Sequence, residues 1–428
     1  MKRSAARAVV IGSLGNLVEW YDFYAYAAFA LYFARSFFPE GNELAQQLNA
    51  ALVFALGFLV RPVGGWLFGR MGDRVGRRAA LTTSVLLMCL GSLLIAVTPT
   101  YATIGGFAPA LLVFARLLQG LSLGGEYGAS ATYLTEVAPP HRRGLSSSFQ
   151  PVTIIGGQLL ALSVLLVLQR VLLTAAELRA WGWRVPFVLG ALLAVVATVM
   201  RSGLHETRAF EAAIGKKAPE TRESPLRGLL RHPREVAIVV GLSIGGTAAF
   251  YTYTTYMQKF LRLSTGLTDG QTSLVTACSL VFAMLLQPLY GMLSDRIGRK
   301  WLLIGFGTLG TLTTVPLLTA LEHAHDPLRA LLLLCAAWVV VSGYTSVNVV
   351  VKAELFPTGI RATGVGFPFA VTVSLFGGTA EPIALALKRA GHERAFYWYL
   401  TACIAVSLVV YSLMRDTRAD SAMHDDAP

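Results

Sequence analysis

The sequence predicts an all-α membrane protein with twelve transmembrane helices in two pseudo-symmetric six-helix bundles. Of its 428 residues, 54% are hydrophobic and 14% are charged, whereas soluble domains usually carry about 25% charged residues. Apolar runs of roughly 20 residues, the length that crosses ~30 Å of hydrocarbon as a helix, recur along the whole chain. A basic motif also appears twice, half a chain length apart, which indicates duplicated halves.

The twelve spans follow from these apolar runs and from the turn and charge clusters between them, such as EVAPPHRRG and EHAHDP. The first span is too long for a signal-peptide core and lacks a small-residue cleavage site, so we expect it to be retained. The predicted spans lie near residues 9–33, 47–69, 79–98, 104–135, 146–170, 184–201, 235–260, 269–293, 302–321, 328–352, 362–387 and 395–414.

The distribution of the +12 net charge predicts the orientation of these spans. Many basic residues lie in connections on one side, namely Arg70, Arg74, Arg77, Arg78, Arg142, Arg143, Arg296, Arg299, Lys300 and Arg361. The long connection 202–234 adds more on that side, and the other side holds fewer. By the positive-inside rule, both termini and the long connection are predicted to face the cytoplasm. The charge is therefore a topology signal, and no nucleic-acid partner is predicted.

Two motifs recur in the same order. GRMGDRVGRR (69–78) returns as GMLSDRIGRK (291–300), at an offset of 222, and YLTEVAPPHRRG (133–144) resembles VKAELFPTGIRATG (351–364), at an offset of 218. One nearly constant offset indicates duplicated six-helix halves. The predicted domains are an N-terminal bundle (1–201), a cytoplasmic loop (202–234) and a C-terminal bundle with a cytoplasmic tail (235–428).

The charged residues of these motifs are candidates for a cytoplasmic gate. A carboxylate at such a turn can accept hydrogen bonds from helix N-termini or arginines, and glycines permit a tight turn. We expect one charge network in each half, although the same residues can serve only to anchor helices at the headgroups. The two networks are Asp73, Arg77, Glu136 and Arg143, and Asp295, Arg299, Glu354 and Arg361.

Six plus six helices with G-x-x-x-D-R-x-G-R-[RK] in each half resemble the major facilitator superfamily. GNLVEWYDFYAYA (15–27) and RLLQGLSLGGEYGASATYLTEVAP (116–139) resemble its metabolite:proton symporter family, and YTYTTYMQKFL (251–261) and FGGTAEPIALALK (376–388) resemble the branch that carries α-ketoglutarate. The resemblance implies a monomeric alternating-access carrier without a cofactor that takes up a small dicarboxylate, best guess α-ketoglutarate, with a proton. Citrate, shikimate and proline or betaine are the alternative substrates.

Ionisable residues deep in the spans are expensive and mark candidate functional positions. At 1.5 Å per residue, Glu19, Arg61 and Glu126 lie near the midplane, with Asp22 just above them and Arg116 further outward. The family resemblance assigns coupling to the first and fourth helices, which suggests Asp22 and Arg116 as the proton-linked pair. Glu19 and Glu126 are the next candidates, and a static ion pair is the alternative.

Arg61 is a candidate ligand for a substrate carboxylate, because its planar guanidinium binds carboxylates bidentately and does not deprotonate. Pro62, Gly64 and Gly65 follow it and are expected to leave room for a ligand. The alternative is charge compensation for Glu19 or Glu126.

The second half contributes a polar stripe on the seventh helix, where Tyr251 and Thr254 share a face and Lys259 lies further outward. The stripe can instead be an interfacial aromatic belt. Lys259 is either a second cation for a dianion, a snorkelling side chain, or a partner of Glu381. The predicted substrate-binding set is Arg61, Tyr24, Gln158, Tyr251, Thr254, Lys259 and Tyr344.

An enzyme, a metal protein or a receptor is not expected. Six histidines fall in connections or at span ends rather than in a deep cluster, and four dispersed cysteines have no paired spacing. The connection 202–234 is too short and too polar for a receptor domain. The residues concerned are His141, His205, His232, His323, His325, His392, Cys89, Cys278, Cys335 and Cys403.

Overall fold

The computed structural model describes residues 2–74, 77–124, 127–136, 138–202, 225–357, 360–419 and 421–422. Over this part of the chain the structure is helical and has no β-strand. Its twelve long helical segments are α1 (Lys2–Phe37), α2 (Glu43–Leu59 and Arg61–Arg74), α3 (Arg77–Val97), α4 (Phe107–Gly124 and Tyr127–Glu136), α5 (Phe149–Val167, then Leu168–Leu172), α6 (Val185–Ser202), α7 (Pro233–Tyr251, Thr252–Tyr256 and Met257–Ser264), α8 (Asp269–Ile297), α9 (Arg299–Glu322), α10 (Pro327–Thr345 and Asn348–Glu354), α11 (Arg361–Thr372, Val373–Gly377 and Ala380–Arg389) and α12 (Glu393–Leu413).

Nine of the described helices are long and apolar enough to cross a membrane. They are α2, α4, α5 and α7 to α12, while α3 and α6 contain the shorter apolar stretches Thr82–Val97 and Gly182–Val196. Large apolar side chains cover the outer faces, including Leu312, Leu332 and Trp398, each more than half exposed. An apolar exterior around a partly polar interior is expected of a bundle that is surrounded by lipid.

The two bundles repeat one packing scheme. In the first, α1 packs against α5 and α6, α3 against α6, and α2 against α4; in the second, α7 packs against α11 and α12, α9 against α12, and α8 against α10. Between the bundles, α5 packs against α8 and α2 against α11, which are equivalent positions in the two repeats. The predicted arrangement of two pseudo-symmetric six-helix bundles is confirmed.

Irregular backbone gathers where the bundles meet. Helix α2 is interrupted at Val60, because Pro62 has no N–H to donate to the Phe58 carbonyl one turn earlier. The Ser374 hydroxyl of α11 lies 2.5 Å from that carbonyl and 2.6 Å from the Ala370 carbonyl of its own helix. Both α7 and α11 contain a π-helical turn here, Thr252–Tyr256 and Val373–Gly377. Such turns are frequent at functional sites.

The connection between α5 and α6 is a surface turn with regular capping. Thr174 and Glu177 form a capping box at the start of the short helix Ala175–Ala180. The backbone and side-chain hydrogen bonds from Thr174 lower the pKa of Glu177. This end of the molecule, opposite to the repeated motifs, is called the opposite end below. The end that carries residues 69–74, 138–144, 291–300 and 354–357 is called the motif end.

Candidate functional site

Arg61 is buried at the first residue after the break in α2, and aromatic rings surround its guanidinium. The guanidinium carbon lies 4.0 Å from the ring centre of Phe58, 4.4 Å from that of Phe23 and 5.3 Å from that of Trp20. Its Nε and Nη2 have no hydrogen-bond acceptor among the described residues. Aromatic faces stabilise the positive charge but leave N–H groups unpaired, so this guanidinium is suited to bind an anion.

Two tyrosines bring the other half of the molecule to Arg61. The side chains of Tyr24 in α1 and Tyr251 in α7 interact with each other and with the guanidinium. Tyr251 is held there by close packing, because a Cβ on Gly377 of α11 would lie 2.6 Å from its ring. The structure therefore brings Arg61, Tyr24 and Tyr251, three of the predicted substrate-binding residues, together between the bundles.

The expectation that Gly64 and Gly65 leave room for a ligand beside Arg61 is wrong. A Cβ on Gly64 would lie 2.0 Å from the Leu121 carbonyl oxygen, and one on Gly65 would lie 3.0 Å from the Gly124 carbonyl oxygen. The glycines admit the backbone of α4, which fills the space. They fix the position of Arg61 by bringing two helices together.

Asp22 and Arg116, the predicted proton-linked pair, are joined through a third side chain rather than by a direct ion pair. The Gln119 amide joins them: its Nε2 donates to Asp22 at 2.9 Å, and its Oε1 accepts from Arg116 Nη1 at 2.6 Å. Ser92 of α3 donates a short hydrogen bond to the other carboxylate oxygen of Asp22. All four side chains are buried. The charges are thus linked through a neutral group that can exchange partners. Glu19 is buried one turn away in α1.

Arg116 shares one aromatic ring with Arg61. Its guanidinium carbon lies 4.4 Å from the ring centre of Phe23, the same distance as that of Arg61, and 4.5 Å from the ring centre of Tyr26. Arg116 is fully buried, and its Nε and Nη2 have no acceptor in the described part of the chain. The first bundle therefore holds two guanidinium groups around Phe23, both with unused donors.

Lys259 pairs directly with Glu381. The ammonium group in the last part of α7 forms a short salt bridge with the carboxylate in α11, and both side chains are 1% exposed. Lys259 is therefore not a snorkelling side chain at the membrane boundary. Since its charge is already balanced, it is a weaker candidate for a second cation than the sequence suggests.

The remaining predicted contacts lie along the contact between the bundles. Gln158 of α5 donates to the Thr254 carbonyl of α7 at 3.0 Å, whereas the Thr254 hydroxyl bonds to the Phe250 carbonyl of its own helix. Tyr344 lines a cavity of about 40 Å³ between the bundles, together with Trp20, Tyr127, Tyr251, Asn348 and Phe369. This cavity has room for about one water molecule.

A larger cavity of about 640 Å³ opens at the opposite end. Arg35, Arg179 and Arg262 line it, and Glu43 is the acidic residue among its lining residues. Asp269 of α8 accepts from Arg179 of the first half at 3.1 Å and from Arg262 at 2.6 Å. The surplus of positive charge suits an entrance for anions.

At the motif end, Asp295 of α8 reaches into the first half. Its carboxylate accepts from the backbone N–H groups of Gly144 and Leu145 at 2.8 and 2.9 Å. It also pairs with Arg299 at 2.8 Å, and Arg299 lies 3.4 Å from Glu354. Three of the four residues of the predicted second network, Asp295, Arg299 and Glu354, are therefore connected, and Asp295 caps a helix of the other bundle.

Arg361 and Glu136 differ from the prediction of one network per half. Arg361 of α11 pairs at 2.5 Å with Glu136 of α4, so this ion pair joins the two halves. Arg143 of the first half acts electrostatically on Glu354 of the second. The cause is the close contact of α4 with α11, where a Cβ on Gly128 would lie 2.4 Å from the Ala362 carbonyl oxygen. Glu126 and the side chains of Asp73 and Arg77 lie outside the described residues.

Lys352 of α10 is a buried cation that the sequence analysis did not single out. Its Nζ donates to the Tyr127 hydroxyl at 2.8 Å and lies 3.5 Å from the ring centre of Phe369. The side chain is fully buried, and no carboxylate of the described residues lies within 4 Å of it. Lys352 is two positions before Glu354 in the sequence, and the sequence analysis interpreted the motif that contains both residues as part of the cytoplasmic gate.

Models of two transporter families match the chain. The model of the sugar (and other) transporters matches residues 8–236, and the model of the major facilitator superfamily matches residues 249–426. The chain is also 51% identical to the alpha-ketoglutarate permease of Escherichia coli K12, over 95% of this chain and 93% of that protein. This chain belongs to the major facilitator superfamily. It is a multi-pass membrane transporter and not an enzyme.

The names of other proteins that are similar to this transporter mention different substrates. It is 33% identical to the citrate-proton symporter of Salmonella typhi, over 96% of this chain and 95% of that protein. The crystal structure of a D-xylose-proton symporter matches with a TM-score of 0.75 and 20% identity, over 95% of this chain and 97% of that one. The structural likeness shows the fold of this transporter.

Three residues of this transporter's centre escaped the sequence analysis, namely Ser92, Gln119 and Lys352. A serine and a glutamine inside apolar spans carry no charge signal. Lys352 did carry a charge signal, because it is a cation at the end of an apolar span. Its nearest acidic residue in sequence, Glu354, is two positions away and so does not share its helical face.

Proposed function

We propose that this transporter carries a small dicarboxylate, with α-ketoglutarate as the best candidate, in symport with a proton. The observation that carries the proposal is Arg61, a buried guanidinium between the bundles whose Nε and Nη2 have no acceptor among the described residues. A carboxylate supplies two acceptors in the geometry of such a fork. The name of the relative at 51% identity supports the same substrate.

Asp22 is the proposed proton site. Its carboxylate is linked to Arg116 through Gln119 rather than by a direct ion pair. Protonation of Asp22 weakens its bonds with Ser92 and Gln119 and releases Gln119 toward other partners, which changes the environment of Arg116. Arg116 is in turn close to the proposed substrate ligand Arg61, because both guanidinium groups lie over the ring of Phe23. Glu19 and Glu126 are the next candidates for the proton site.

Transport proceeds by rocking of two domains, residues 1–201 and 235–428, joined by the connection 202–234. The motif end, which carries the basic repeats, faces the cytoplasm together with both termini, and the carrier works as a monomer in a bacterial inner membrane. Contacts across the bundles at the motif end, such as Arg361 with Glu136, form the cytoplasmic gate. Those at the opposite end, such as Arg179 with Asp269, form the external one.

Uptake into proteoliposomes tests this function. The purified protein is reconstituted into liposomes, and a proton gradient is imposed with the acidic side outside. The uptake of labelled α-ketoglutarate, citrate, shikimate and betaine is then compared. We expect α-ketoglutarate to accumulate only with the gradient and to be displaced best by other dicarboxylates. Accumulation of betaine or shikimate in preference to α-ketoglutarate would contradict the proposal, and accumulation of citrate would redirect it to tricarboxylates.

A further inference from the structure

Two lysines are buried in the second half, and their environments differ. Lys259 forms a salt bridge with Glu381. Among the described residues, Lys352 has one hydrogen bond, to the Tyr127 hydroxyl, and its ammonium group lies over the rings of Phe369 and Tyr127. A buried ammonium group that has only a hydroxyl and aromatic faces as neighbours gains most when an anion comes to it.

The acidic residue next to Lys352 in sequence does not balance its charge. Glu354 uses one carboxylate oxygen for Arg299, at 3.4 Å, and accepts from the Thr417 hydroxyl with the other, at 2.7 Å. No other carboxylate of the described residues lies within 4 Å of the Lys352 ammonium group. Its positive charge is therefore available to a ligand.

The position of Lys352 joins it to the cavity between the bundles. Tyr127 and Phe369, the two rings that it contacts, line this cavity, and so does Asn348, one turn earlier on the same face of α10. The Tyr127 hydroxyl also lies 3.3 Å from the Asn348 amide oxygen. One hydroxyl group thus separates the ammonium group from the cavity.

Arg61 stands in the same relation to the cavity from the first half. Its guanidinium lies over Trp20 and interacts with Tyr251, and both of these residues line the cavity. One cation from α2 and one from α10 therefore each contact side chains that line a single small cavity at the interface of the two bundles. A ligand with a carboxylate at each end offers one anion to each cation, whereas a monocarboxylate offers an anion to only one of them.

We propose that Lys352, with Tyr127 and Asn348, forms the subsite for the second carboxylate of a dicarboxylate whose first carboxylate is bound by Arg61. This subsite deepens the proposed function and rests on it. The dianion draws the two bundles together, because its ends bind to opposite halves. Since the cavity holds about 40 Å³, the stacked rings of Tyr127 and Phe369, 4.3 Å apart, must separate to admit the ligand.

Binding of two matched ligands to the purified transporter tests the subsite. The ligands are α-ketoglutarate and the five-carbon 2-oxo monocarboxylate, which lacks the second carboxylate, and the affinities are measured by calorimetry. We expect the wild type to prefer the dicarboxylate. Lys352→Gln should weaken dicarboxylate binding about tenfold or more, equivalent to about 1.4 kcal/mol, and change monocarboxylate binding less than about twofold.

Lys388→Gln is the matched control. Lys388 lies in α11, in the same bundle as Lys352, but its ammonium group pairs with Glu393 at 2.6 Å near the opposite end. It should leave both affinities unchanged. Asn348→Asp provides a second variant if Lys352→Gln does not fold. The new carboxylate one turn from Lys352 pairs with it internally, so dicarboxylate binding should fall about tenfold while monocarboxylate binding persists.

The results separate this inference from the proposed function. A wild type that binds neither ligand overturns the function and the subsite together. A wild type that prefers the dicarboxylate, with Lys352→Gln retaining that preference, overturns the subsite alone. If Lys352→Gln changes the transport rate but neither affinity, Lys352 is only a latch between the halves and the subsite is wrong.

Discussion

The charges at the centre of the first bundle and those at the centre of the second are held in different ways. In the first, Asp22 and Arg116 are joined through the neutral Gln119, and Arg61 rests on aromatic rings. In the second, Lys259 and Glu381 form a direct salt bridge between almost fully buried side chains. A direct buried pair is costly to break, because each partner is left as an isolated charge.

This difference in how the charges are paired indicates which bundle can change its charge state. Charges that are joined through a neutral amide can change partners, because the amide can turn to another donor or acceptor without the rupture of a direct ion pair. The first bundle is therefore suited to coupling and substrate recognition, whereas the Lys259–Glu381 pair is suited to hold α7 against α11. Four substitutions test this contrast.

The largest effect is expected for Asp22→Asn, which fixes the neutral form of the proton site. Accumulation driven by a pH gradient should vanish, because no group remains to link protonation with the conformational change. Counterflow exchange, which needs no net proton movement, should persist at least in part. Both are measured in the same liposomes. Retained gradient-driven accumulation would move the proton site to Glu19 or Glu126.

Glu381→Leu should destabilise the protein by about 3–5 kcal/mol, because it leaves the Lys259 ammonium group buried without a partner. The double variant Lys259→Met with Glu381→Leu should recover most of this loss, since it removes both charges. Thermal unfolding of the purified variants measures the difference. If the double variant is as unstable as the single one, the pair does more than balance charge.

Arg61→Lys should weaken substrate binding about tenfold or more, a cost of about 1.4 kcal/mol. Lysine keeps the positive charge but loses the planar fork and its stacking on Phe58 and Phe23. Calorimetry with α-ketoglutarate checks the affinity. Binding like that of the wild type would show that Arg61 serves only as a counter-charge.

The smallest effect is expected for Phe23→Leu, which removes the ring that Arg61 and Arg116 share. A buried cation–π contact contributes roughly 0.5–2 kcal/mol, so the affinity should fall severalfold. Phe29→Leu is the control, because Phe29 is equally buried in α1 and packs against Tyr32. Equal losses in the two variants would assign the effect to packing rather than to the cations.

The helices were predictable because each apolar run must be long enough to cross a membrane. The predicted span 269–293 lies within α8, Asp269–Ile297, and 328–352 lies within α10, Pro327–Glu354. The structural helices continue past the predicted ends, since the motif residues such as Asp295 and Glu354 are still helical. Hydropathy reports the apolar part of a helix and not its polar ends.

Side-chain partners were less predictable. Position along a helix follows from the rise per residue, so the sequence alone could assign Arg61 and Asp22 a depth within their spans. The direction in which a side chain points depends on the neighbouring helix, and one sequence does not determine that. Arg361 was therefore assigned to its own half, although it pairs with Glu136. Gln119 was overlooked, because an uncharged residue becomes informative only when its neighbours are known.

The hydroxyl of Ser374 has a consequence for the speed of the transport cycle. It has a single proton to share between the Phe58 carbonyl of the facing bundle and the Ala370 carbonyl of its own helix. When α11 moves away from α2, the proton stays with Ala370, so the serine itself loses nothing. The Phe58 carbonyl, to which Pro62 has no N–H to donate, keeps the Val60 N–H but loses its hydroxyl donor.

Water that enters the opening cleft replaces that donor. The exchange of one hydrogen bond for another costs about 1 kcal/mol or less, near thermal energy. The Ser374 contact between α2 and α11 thus sets the register of the two helices in the closed position. Water can replace this contact at little cost in free energy. A residue that could bond only across the cleft would have made each opening slower.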